Sequence, residues 1–184
     1  MSNRYEICLV STCNTDTPLC LAVNVYDAKT IIVDNYVAEL NWLRWLVDDL
    51  GNNNIALWHP DTKSKLVASE QDGSLSLRAG DIDSTTSYAA DEIWSVARIQ
   101  NSTNFWKAFS DGAMELFGHG VTLLVGGYAM RPSFNTDRNL NVLGNGPYNP
   151  NSVVAAWDGW SGGAANERWL PAFIGAAPAT SAFA

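Results

Sequence analysis

The sequence is poor in charge and has no basic cluster. Charged residues make up 16% of its 184 positions, and the eleven lysines and arginines are scattered. A chain that grips nucleic acid gathers Lys and Arg on one face to neutralise phosphates. At a net charge of −8 this one falls outside that class. Cysteine is scarce. Cys8, Cys13 and Cys20 lie close together without a neighbouring histidine, which does not make a zinc site. A Cys13–Cys20 bridge is open in an oxidising setting, while reduced thiols are the default for an odd count. The two histidines, His59 and His119, are far apart and have no acid cluster beside them, so a metal or general-base site is not expected.

Other features are missing altogether. No Gly-rich phosphate loop carries a lysine. No apolar run approaches the length of a membrane span. The opening Met1-Ser-Asn-Arg-Tyr-Glu6 lacks the charged and then apolar profile of a secretory signal. The expectation is therefore a protein that is cytoplasmic or released without such a signal. The sequon Asn101-Ser-Thr carries little meaning without that route. Gly159-Trp-Ser161-Gly-Gly163 matches the nucleophile elbow, but glycines follow Ser161 instead of a helix, and both histidines precede it. Acidic pairs such as Asp48-Asp49 and Asp81/Asp83 read as solvated surface. Neither an enzyme nor a cofactor is expected.

What the chain does have is an apolar content of 47% and eight tryptophans. That is enough for one domain with a real core. Tryptophan fills cores and also offers flat faces to ligands. Short apolar runs separated by turn residues read as strands: 4–10, 19–25, 30–33, 54–58, 65–69, 74–78, 113–118, 121–125 and the runs within 139–169. Gln71-Asp-Gly-Ser74 is a hairpin signal. A helix competes in one place, because Val37, Leu40, Leu43, Val47 and Leu50 have three- and four-residue spacing and Gly51 follows. Residues 126–138 read as a loop or insertion, and the small, Pro-containing tail 175–184 as poorly packed.

Three segments share an ending: Asn41-Trp-Leu-Arg-Trp45, Asp91-Glu-Ile-Trp94 and Asn166-Glu-Arg-Trp169. Each is preceded by a similar run: Leu21-Ala-Val23, Leu66-Val-Ala68 and Leu140-Asn-Val142. The closing tryptophans follow these runs by 24, 28 and 29 residues and lie 49 and then 75 apart, so the third unit carries an insertion. Self-similarity at this period argues for a repeat architecture, and many short strands argue for a barrel or sandwich. The units run over about 4–50, 51–100 and 101–174.

This order of signals resembles the ricin-type (R-type) lectins. It is clearest over 139–169, fainter over 54–97 and faintest over 4–46. The resemblance implies an all-β fold, a β-trefoil of three degenerate repeats forming a single domain. It also implies a non-catalytic protein whose partners are glycans or glycoproteins. The family's closing glutamine is replaced by Leu43, Glu92 and Glu167. Units one and two lack an aromatic where the family stacks its sugar, near Asn35 and Arg78.

In the third unit the resemblance assigns polar contact to Asn141 and Asn166 and stacking to Trp157. Asp158, counted with them among the ligand-binding residues, forms the turn after it, Trp160 is an alternative stacker, and Glu167 supports Asn166 from behind. A ring packs on the apolar C–H face of a sugar, and an amide offers two donors and a two-lone-pair acceptor to adjacent hydroxyls. Asn141 stands where the family carries aspartate, so a sugar of the galactose or N-acetylgalactosamine type stays open without being implied. Trp45, Trp94 and Trp169 read as core. One such site implies weak binding, which a homo-oligomer would raise through avidity. The runner-up reading is a β-trefoil protease inhibitor acting through an exposed loop, 126–138 or 145–152. A third is a toxin or adhesion component whose lectin fold serves assembly.

Overall fold

The structure, a computed structural model, describes residues 4–14, 18–35, 41–83, 87–98, 127–159 and 164–173. Among these it contains twelve strands, three one-turn 3₁₀ segments and no α-helix. The first unit holds β1 (Arg4–Ser11), β2 (Leu19–Val23), β3 (Ile31–Asn35) and β4 (Trp45–Gly51). The second holds β5 (Asn54–His59), β6 (Ser64–Ala68), β7 (Leu75–Ala79) and β8 (Trp94–Arg98). The third holds β9 (Tyr128–Pro132), β10 (Arg138–Val142), β11 (Val154–Asp158) and β12 (Trp169–Phe173). A 3₁₀ turn precedes the last strand of each unit: Asn41–Leu43, Ala90–Glu92 and Ala165–Glu167.

The first and last strands of the units close into a ring. β1 pairs with β4, β4 with β5, β5 with β8, β8 with β9, β9 with β12 and β12 with β1, all antiparallel. This six-stranded barrel leaves no open edge in the ring, which removes the templating hazard of unpaired strands. The middle strands form the hairpins β2–β3, β6–β7 and β10–β11 outside it. Barrel plus three hairpins is the β-trefoil that the resemblance implied.

The core sits where the three units meet. Trp45, Trp94 and Trp169 are each 0% exposed. Each indole N–H donates to the carbonyl of its own unit's leading leucine: Trp45 to Leu21 at 3.0 Å, Trp94 to Leu66 at 3.3 Å and Trp169 to Leu140 at 2.8 Å. The recurring spacing in the sequence is therefore a bonded contact, and it satisfies a polar group that burial would otherwise leave costly.

Several expectations need correction. Residues 45–51 are strand, not helix. Leu43 and Val47 belong to two elements, a 3₁₀ turn and a strand, so their spacing does not mark one helical face. Asp48 is buried in that strand, held by Arg4 at 2.6 Å and by the Tyr88 hydroxyl. Nor are residues 127–138 a loop throughout. Tyr128–Pro132 forms β9, and β10 begins at Arg138. Alternation is hard to see there because all of Tyr128, Ala129 and Met130 are buried. The extra length of the third unit thus falls between β8 and β9. The strands expected at 113–118 and 121–125, the sequon at Asn101 and the tail 175–184 lie outside the described residues. All three cysteines are free. Cys13 packs against the main core and Cys20 in a second cluster with Cys8, Val10, Leu43 and Ala172.

Candidate functional site

The third hairpin is built by simple alternation. Leu140 and Val142 of β10, with Val154 and Ala156 of β11, pack in the core. The intervening residues pair on the opposite face, Asn139 across from Trp157 and Asn141 across from Ala155. Asn141 and Trp157 are therefore diagonal neighbours, and the small Ala155 beside them leaves room. Trp157 is 56% exposed, large for an indole.

The 3₁₀ turn supplies the opposite wall. Both amide hydrogens of Asn166 are used, on Val142 O at 2.9 Å and on Asn141 Oδ1 at 2.6 Å. The backbone carbonyl fixes which way the Asn166 amide faces, and that in turn fixes Asn141. Among the described residues, Asn141 is left with its NH₂ and Asn166 with its carbonyl oxygen. Behind them the fully buried Asn139 donates to Glu167 O at 2.6 Å and Leu140 O at 3.1 Å, tying the turn to β10. Asn139 was not singled out in the sequence, although its place one residue before the Leu-x-Val run was a usable signal.

Asn141, Leu143, Gly144, Asn145, Trp157 and Asn166 line an open cleft of about 240 Å³. Gly144 has φ +114 and Gly146 φ +71, which bend the chain around the rim. Tyr148 closes that bend by donating its hydroxyl to Gly144 O at 2.9 Å. Burial, with Cys13 and Glu167 nearby, raises the Tyr148 pKa, so the phenol stays a donor. No charged side chain lines the cleft among the described residues. The lining is one aromatic face, one leucine and three amides, a set suited to an uncharged, hydroxyl-rich ligand with an apolar face.

The remaining expected residues are placed elsewhere. Asp158 pairs with Arg138 Nε at 2.8 Å and does not line the cleft. Glu167 is buried beneath the turn, and Trp160 lies outside the described residues. Leu143, Gly144 and Asn145 were not expected at a binding surface. The stretch from 145 was read only as a loop for a protease, and its glycine bends were the clue to a rim.

The units differ at equivalent positions. Leu21 pairs with Val33, Leu66 with Leu77 and Leu140 with Ala156, so Asp34, Arg78 and Trp157 correspond. Trp42, Asp91 and Asn166, each three residues before the closing tryptophan, also correspond. In the first unit Trp42 donates to Asp34 at 3.3 Å. In the second the Arg78 fork holds Asp91 at 2.5 and 3.0 Å. Both places are thus closed by their own side chains, whereas in the third unit Trp157 and Asn166 face an open cleft.

No protein-family model matches the sequence, and no curated protein matches it at the sequence level. Solved structures match the fold. A ricin B-like lectin of Macrolepiota procera, solved in complex with lactose, is similar at TM-score 0.62 and 17% identity, over 94% of this chain and 98% of that one. A mosquitocidal holotoxin is similar at TM-score 0.62 and 12% identity over 94% of this chain, which spans 17% of the holotoxin. A lectin of Polyporus squamosus, solved with a sialylated epitope, is similar at TM-score 0.57 and 11% identity, over 93% of this chain and 49% of that one. The chain is an all-β protein with the β-trefoil fold. More narrowly, it shares that fold with the ricin B-like lectins.

Proposed function

We propose that the protein is a non-catalytic, carbohydrate-binding lectin with one main glycan site, the cleft of the third unit. Trp157 stacks on the C–H face of a neutral sugar. Asn141 donates from its NH₂ and Asn166 accepts at its free oxygen, so a hydroxyl that both accepts and donates satisfies the pair. The observation that carries this reading is an exposed indole beside two fixed amides at the one position of three not closed by its own side chains. The lectin fold of the structural relatives supports it.

A glycan array tests it, with Trp157→Ala and Asn166→Ala as controls. Binding of neutral glycans that both substitutions abolish is the expected result. No binding, or binding that survives both changes, sinks the assignment. Inhibition in a protease panel without any sugar binding would favour the inhibitor reading instead.

A further inference from the structure

We infer that Arg138 is a positioning residue for Trp157, tying the strand that carries the indole to the β6–β7 turn of the preceding unit. The inference rests on the glycan reading of the cleft. Arg138 opens β10 directly across from Asp158. Its side chain is 10% exposed. Nε donates to Asp158 Oδ1 at 2.8 Å. Nη1 donates to the carbonyls of Ser69 at 3.1 Å and Glu70 at 3.2 Å, and Nη2 reaches Gln71 O at 3.4 Å.

The same turn grips β11 one residue before the indole, where Ala156 N donates to Gly73 O at 2.8 Å. Trp157 therefore lies between two anchored neighbours, Ala156 and Asp158. The approach requires glycine: a Cβ at position 73 would stand 1.9 Å from Ala156 O, and φ there is +73. A planar guanidinium with five donors can serve a carboxylate and a row of carbonyls together, which a point-like ammonium cannot. The corresponding residues of units one and two, Leu19 and Ser64, offer no such fork. An indole this exposed has little packing of its own, so its backbone anchors set where the ring is presented.

The test labels the protein with 5-fluorotryptophan and assigns the Trp157 resonance by Trp157→Phe. In Arg138→Met the Trp157 line should shift or broaden while those of Trp45, Trp94 and Trp169 stay in place. Arg138→Lys, which keeps the charge, should give a smaller change. Lactose then serves as the probe, and its affinity should fall on the order of tenfold in Arg138→Met, the scale of a lost preorganising contact. An unchanged Trp157 line overturns the inference. So does a joint movement of all four lines in both variants, which would make Arg138 a stability element only. If the unsubstituted protein takes neither lactose nor any neutral glycan on the array, the glycan reading falls, and the fluorine spectra still decide whether Arg138 positions Trp157.

Discussion

Trp169 donates its indole N–H to the carbonyl of Leu140 at 2.8 Å, across 29 residues of chain. Trp45 with Leu21 and Trp94 with Leu66 repeat the bond, so one contact made three times defines the trefoil core. Two tryptophans of the third unit thus have opposite duties. Trp169 is sealed in the core, and Trp157, on the neighbouring hairpin, is 56% exposed.

Their substitutions should separate stability from binding. Trp169→Phe removes the indole donor and leaves the Leu140 carbonyl with the Asn139 amide alone, which costs ~0.5–1.5 kcal/mol before any cavity term. Trp157→Phe should change stability by less than ~0.5 kcal/mol, as exposed sites do. Urea unfolding of both variants beside a glycan-binding assay checks this. A large loss of stability in Trp157→Phe would mean that its ring packs as core.

Much of the fold was legible because a repeat reports itself three times. The closing tryptophans and Leu-x-Val runs mark atoms that touch, so their spacing survives when other residues drift. Strand β9 was not legible, because Gly126-Gly127 precedes it, Pro132 ends it, and burial on both faces erases alternation. Asn141, Trp157 and Asn166 could be picked out as the features peculiar to the third copy. Leu143 and Asn145 could not, since a rim made by glycine bends depends on backbone angles that residue type only permits. Asp158 was read toward the ligand because its tie to Arg138 depends on pairing register, which the sequence does not display.

Asn141→Asp tests the polarity of the cleft. Asn166 still donates to the new carboxylate, so the turn should hold and the midpoint of thermal unfolding should barely move. The NH₂ donor, however, becomes an acceptor and brings a negative charge. A sugar oxygen that accepted from Asn141 loses its partner, worth ~1–3 kcal/mol or roughly 5- to 150-fold in affinity. The order of preference on a glycan array should change, while binding still depends on Trp157. An unchanged profile would show that Asn141 does not touch the sugar.

His59 should make stability pH-dependent. It is buried with its ring against Trp45, and Nε2 has no hydrogen-bond partner among the described residues. Burial lowers its pKa from the usual 6.5, against the opposing pull of Asp61 and the backbone of Trp42 and Asn41. The folded state keeps the ring neutral where the unfolded chain already binds a proton. Stability therefore falls as pH drops below about 6.5 and stops falling once the folded-state value is passed. Urea midpoints taken from pH 7 down to about 5 should slope less in His59→Gln than in the unsubstituted protein. Equal slopes would show that His59 titrates alike in both states.

Lys65 and Glu92 show what the second unit has in place of a cleft. Lys65 Nζ meets Glu92 at 2.6 Å with both side chains largely buried, and Arg78 adds a contact at 3.0 Å. Burial alone would raise the Glu92 pKa, but bonds from Lys65, the Ala89 N–H and Arg78 bring it below its usual value. In the third unit, Asn139 and Trp157 stand where Lys65 and Arg78 stand here. Replacing two cations by an amide and an indole removes the ion network and leaves a ring free to meet a ligand. Lys65→Met should therefore cost ~1.5–3 kcal/mol, because the buried carboxylate keeps only Arg78 and the Ala89 N–H. Adding Glu92→Gln should recover most of the loss, since the amide oxygen can still accept from Ala89 N–H. Chemical unfolding of the single and double variants measures this. A double variant no more stable than Lys65→Met would show that packing of the lysine stem, rather than the charge pair, is what the position contributes.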